Sequence, residues 1–137
     1  MVESGRQPWL RAALLLGLVY FLIGRVFAVP TQHVHAWRLV AWGISGGVYA
    51  THIWYEHFRL RNSPRLAAAH VALAVAIGAF ALAIAGMLHS RSMALGIRPA
   101  WLLALVLWPA ITALPAFLGA LVAGALLSRL PRSADAE

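Results

Sequence analysis

The sequence predicts an all-α integral membrane protein, a four-helix bundle running up-down-up-down with antiparallel neighbours. Three observations predict it. Hydrophobic residues make up 62% of the 137 positions, and the mean hydropathy is +0.79. Charged residues make up 11%, where a soluble domain carries about 25%. The apolar residues also fall into four long runs separated by short polar loops, which is how a chain meets a hydrocarbon core. A chain of this length is read as one transmembrane domain over residues 1–137.

The first run spans residues 9–29, enough to cross ~30 Å of hydrocarbon at ~1.5 Å per residue. Trp9 fits an interfacial anchor. Arg6 and Arg11 before an apolar run also suit a signal peptide, but no A-x-A pattern follows and the run continues past Arg25. A retained helix is therefore expected. The loop 30–36 carries His33 and His35, and the second run covers 37–58. The basic loop 59–65 ends in a helix-start signal, with Ser63 as N-cap and Pro64 at the first helical position. The third run follows over 64–88, and the loop 89–98 contains His89. Pro99 opens the fourth run, 99–128, where Pro109 and Pro115 predict a tilt or break. The last residues, LSRLPRSADAE, are polar.

All basic residues are arginine and lysine is absent, a bias typical of a GC-rich genome. The net charge is +7, but the arginines are scattered at helix ends. A nucleic-acid binder would gather them on one face, so nucleic acid is excluded as a partner. The lipid bilayer is the expected partner, with Arg25, Arg59, Arg61 and Arg65 as headgroup contacts. With the N-terminus inside, Arg6, Arg11, Arg59, Arg61, Arg65, Arg129 and Arg132 are inside, and Arg25, Arg38, Arg91 and Arg98 are outside. That asymmetry predicts both termini in the cytoplasm, here of a bacterial inner membrane. Cysteine is absent, which rules out disulfides, thiol redox chemistry and cysteine-ligated metal sites.

Small residues mark faces where helices pack in lipid. The third run has Ala74, Gly78, Ala81 and Ala85, the fourth Ala116, Ala120 and Gly124, and the first Ala13, Gly17 and Gly24. The second run instead carries a polar stripe, Ser45, Tyr49, His52, Glu56 and Arg59, at spacings of four, three, four and three. Such a stripe is one helical face and meets protein before lipid.

His52 lies about six residues before the end of the second run, and His70 about six after the start of the third. At the helical rise both sit ~9 Å inside the same boundary. In an antiparallel hairpin they share a level, with Glu56 and His57 nearer the headgroups. Three uses of this cluster compete. Tyr49, His52, Glu56, Arg59 and His70 form a hydrogen-bonded network that holds the hairpin, with Glu56 pairing to Arg59. Alternatively Glu56 and the two histidines form a proton or ion site, since histidine titrates near neutral pH. The third use is a metal or haem b held by His52 and His70, with the small third-run face leaving space for the macrocycle. A weaker metal candidate is His33, His35 and His89. No catalytic residues stand out, so an enzyme is not the expected reading.

The leading functional expectation is an accessory or structural subunit that packs against a larger membrane-protein partner or forms a homo-oligomer. An oligomeric proton- or ion-coupled transporter or channel comes second, and an electron-transfer subunit third. In size and helix count the chain resembles small multidrug transporters, which carry an essential acid inside the first span. No acid lies in that span here. The histidines on facing helices loosely resemble those of haem-bearing anchor subunits of respiratory complexes, whose motifs do not align onto His52 or His70.

Overall fold

The computed structural model describes residues 8–29, 32–93 and 99–129, and those residues are helical apart from short turns. The four helices are α1 (Pro8–Val26), α2 (Val34–Trp54), α3 (Pro64–Ser92) and α4 (Pro99–Leu127). A π-helical segment, Tyr55–Arg59, continues α2. Arg6, Arg98, Arg132 and most of the polar tail lie outside the described residues.

The helix boundaries follow local chemistry. Ser63 has extended backbone angles, and its hydroxyl accepts the Leu66 N–H at 3.4 Å, with Pro64 at the first helical position. α1 ends at Val26, earlier than the apolar run, because Phe27–Val29 turn away. α3 continues to Ser92, so His89 lies on a helix and not in a loop. α4 remains unbroken through Pro109 and Pro115. The two prolines are more than a turn apart, so intact bonds separate the missing ones. Thr112 also donates its hydroxyl to the carbonyls of Trp108 at 2.9 Å and Pro109 at 3.1 Å.

Consecutive helices run in opposite directions, and α3 is central. Trp9 meets His70, Gly17 lies against Ala74 and Ile77, Tyr20 against Gly78, and Gly24 against Leu82. The numbers rise together, so α1 and α3 are parallel. Against α4 they run oppositely: Trp101 lies at Gly86 and Pro64 at Gly124. Glycine is required where backbones approach closely. A Cβ at Gly78 would come within 2.9 Å of the Gly17 carbonyl oxygen and 2.6 Å of the Tyr20 Cβ. Van der Waals packing of this kind is what holds helices together where the solvent is itself apolar.

α2 is peripheral. Its last turns seal one end of the molecule, where Ile53 joins Ala68, Val71 and Ala120 in a small core with Tyr49, Phe117 and Leu121 around it. Its first half packs on little beyond the contact of Trp37 with Phe27. Three helices, α1, α3 and α4, are long and apolar enough to cross a membrane. α2 has the length but not the composition, which narrows the four-span expectation. Arg38, Ser45, Thr51, two histidines and three glycines lower its apolarity. Leucines and other large apolar side chains cover the outside of α1 and α4, a surface suited to lipid and not to water.

Candidate functional site

The sealed end of the molecule contains a buried carboxyl group. Glu56 is 0% exposed, and burying such a group demands hydrogen-bonding partners. Asn62 donates from Nδ2 to Glu56 Oε2 at 2.6 Å. His70 Nδ1 lies 3.0 Å from the same oxygen and donates to it when the proton is on Nδ1. On the other side, His52 Nε2 lies 3.5 Å from Glu56 Oε1. That contact is within ion-pair range but too weak to count as a hydrogen bond. Glu56 Oε1 and both nitrogens of His52 have no hydrogen-bond partner among the described residues.

Local backbone geometry sets this up. In the π segment the Leu60 N–H reaches back to the Tyr55 carbonyl at 3.1 Å, one residue further than in an α-helix. The Asn62 N–H then bonds the Glu56 carbonyl at 3.1 Å. Asn62 is thus tied to Glu56 twice, through backbone and side chain. Closing the turn places Arg61 at φ 52, a left-handed conformation that costs a non-glycine residue roughly 1–2 kcal/mol. Glycine usually fills such a helix end. The double clamp of Asn62 on Glu56 holds the turn in place here.

His70 is fixed from a third helix. Trp9 of α1 stacks on its ring with centroids 4.5 Å apart and planes 7° from parallel. The site therefore joins α1, the end of α2 and its π segment, the α2–α3 turn, and the first turns of α3.

Several sequence expectations meet this geometry directly. His52, Glu56 and His70 come together at one end. The carboxyl group lies between the two imidazoles, deeper than the depth count placed it. Arg59 is not part of the cluster: its side chain is exposed, and Asn62 takes the place expected for it. Widening into a π-helix rotates Arg59 away from where α-helical spacing puts it. Tyr49 faces inward but bonds elsewhere, donating its hydroxyl to the Ala116 carbonyl of α4 at 2.6 Å. Gly119 leaves room for that hydroxyl, since a Cβ there would lie 2.7 Å from it. Two contributors, Asn62 and Trp9, are not evident from the sequence pattern. Asn62 reads as a loop residue and Trp9 as an interfacial anchor.

The space required for a haem is filled. α1 packs onto the small face of α3 at Ala74 and Gly78, and Glu56 occupies the gap between His52 and His70. Among the described residues no group of three or more His, Cys, Asp or Glu side chains is placed to hold a metal ion. His33, His35 and His89 are all exposed. His33 is left-handed, at φ 54, and His35 is already helical, so the extended loop that would align them is not formed. Arg25, Arg61 and Arg65 are exposed too, as is every other described arginine.

What remains is a carboxyl group between two imidazoles, with no arginine partner among the described residues. Of its two imidazoles, only His70 is hydrogen-bonded to the carboxyl group, at 3.0 Å. Comparisons with protein-family models, with curated proteins and with solved structures find no match.

Replacing Asn62 by alanine is expected to cost about 1.5–3 kcal/mol, the range for a hydrogen bond to a charged group. Arg59→Ala is expected to change stability by less than about 0.5 kcal/mol. Loss of helicity measured by circular dichroism as the SDS fraction rises compares the two. Equal losses would place Arg59 in the cluster after all.

Proposed function

We propose that the chain is a polytopic membrane protein acting as an accessory or structural subunit, with α2 packing against a helix of a larger partner or of a second copy. A stripe along α2 carries this reading. Leu39, Trp42, Gly43, Gly46, Gly47, Ala50 and Trp54 follow helical spacing, and all are exposed. A Cβ placed on Gly43, Gly46 or Gly47 would meet nothing within 4 Å. Glycine costs a helix about 1 kcal/mol relative to alanine. Facing lipid, three of them in two turns have no compensation. Facing another helix, Gly43 and Gly47 are spaced four apart and permit the close backbone approach seen in membrane helix pairs. Trp42 beside them, 79% exposed, supplies the large side chain that such an interface buries.

Gly43→Leu and Gly47→Leu are expected to abolish co-extraction of the partner or second copy in mild detergent, with thermal unfolding of the single chain unchanged. Gly78→Leu, at the α1–α3 contact, is expected to lower the unfolding temperature instead. Undiminished association of both α2 variants, measured by light scattering and quantitative mass spectrometry, would remove the α2 face from the interface.

The proposed setting is a bacterial inner membrane with both termini cytoplasmic. The arginine asymmetry supports that orientation. Arg11, Arg59, Arg61, Arg65 and Arg129 lie toward the sealed end of the described chain, against Arg25, Arg38 and Arg91 toward the other. A fluorescent reporter inserted in loop 59–65 is expected to be active inside the cell. Activity only on the outer side would reverse the topology.

One observation favours a second reading, a small oligomeric proton- or ion-coupled transporter or channel. Glu56 is buried between two imidazoles with no arginine counter-charge among the described residues. Intramembrane ionisable groups of this kind often mark proton paths. In liposomes, Glu56→Gln is then expected to abolish coupled flux. Flux equal to that of the unaltered protein would leave the cluster with its structural role only.

A further inference from the structure

Between the first half of α1 and the last turns of α2 runs an open groove of about 520 Å³. One wall is the stripe Pro8, Arg11, Ala12, Leu15 and Leu16, and the other is Thr51, His52, Trp54 and Tyr55. The volume is within the ~300–1,000 Å³ common for small-molecule sites. Most of the lining is apolar, and the polar features gather toward the start of α1.

We propose that this groove binds one anionic phospholipid, with the phosphate at Arg11 and an acyl chain laid along Ala12, Leu15 and Leu16. Two features converge on the phosphate end. Arg11 is an exposed guanidinium in the second turn of α1, and arginine matches phosphate geometry with paired donors. The first turn of α1 contains no acidic residue, so the positive end of the helix dipole also favours an anion. In the groove wall, His52 is 1% exposed and its Nε2 lies 3.5 Å from Glu56 Oε1, so it closes the wall behind the lipid without contacting the phosphate.

The occupant is a lipid and not a free anion because most of the groove lining is apolar, which suits an acyl chain and not inorganic phosphate. The level also fits. Trp54 and Tyr55 line the groove, and tryptophan and tyrosine are enriched where headgroup and hydrocarbon meet.

Native mass spectrometry of the full chain tests this, in detergent with phosphatidylglycerol or phosphatidylcholine added at equal concentration. The unaltered protein is expected to retain one phosphatidylglycerol, at least about tenfold in preference to phosphatidylcholine. Arg11→Gln is expected to bring that preference close to parity. Thr51→Phe is expected to remove the adduct of either lipid by filling the groove. Thr51 is exposed and its hydroxyl bonds only the Gly47 carbonyl of its own helix, so the fold tolerates the change. Arg38→Gln, exposed near the start of α2 and away from the groove, is expected to bind as the unaltered protein does. Equal retention of the two lipids by the unaltered protein overturns the proposal. So does an unchanged adduct in both Arg11→Gln and Thr51→Phe, or displacement of the lipid by millimolar inorganic phosphate.

Discussion

A carboxyl group that is fully buried must be satisfied by what is folded around it. Among the described residues no arginine does so, since every one of them is exposed. Glu56 therefore draws its partners from imidazole and carboxamide groups, and each comes from a different stretch of backbone. Asn62 requires the turn after the π segment, His70 requires the start of α3, and the position of His70 is shared with Trp9 of α1. The unusual features of this end follow from that demand. The π widening, the left-handed Arg61 and the early Asn62 bond to the Glu56 carbonyl are one solution to a single desolvation problem. Strained backbone of this sort persists only where surrounding contacts over-determine it.

Away from that end, packing is set by side-chain size. α3 offers small residues to both neighbours, and α1 and α4 settle onto it through glycine at the tightest crossings. The same residue type plays opposite parts in the molecule. Gly17, Gly24, Gly78 and Gly86 are glycines because something lies against them. Gly43, Gly46 and Gly47 have nothing within 4 Å of a Cβ placed on them. The contrast separates glycines that are packed from glycines that are open, which composition alone does not.

Much of the helical layout was legible in the sequence because it depends on local signals. Apolar length located α1, α3 and α4, and Ser63 with Pro64 marked the start of α3 to the residue. The inward stripe of α2 was also legible, because Tyr49, His52 and Glu56 share one face. Helical rise alone put His52 and His70 at one level. What could not be read was the departure from regular helix. A depth count assumes α-helical spacing to the end of α2 and so left Glu56 at the boundary beside Arg59. The π segment breaks that assumption, and its cause is a contact with Asn62 and His70 that no local window contains. Likewise Trp9 fits an aromatic anchor by position, and only the parallel packing of α1 on α3 turns it into a ring partner. The composition of α2 was read as a span from its length. Its glycines and polar residues make it the least apolar of the four helices.

The parallel contact of α1 with α3 bears on how the chain is assembled. Neighbouring antiparallel helices can pair as soon as the second leaves the ribosome. Here α1 finds its main partner only after α2, the turn and most of α3 have been made, and α4 completes the other side of α3 later still. The first two helices form a hairpin with few packing contacts between them, so biogenesis must tolerate an intermediate whose helices are inserted but not docked. During that interval the ring of Trp9 has no His70 to stack on, and Glu56 lacks its partner from α3.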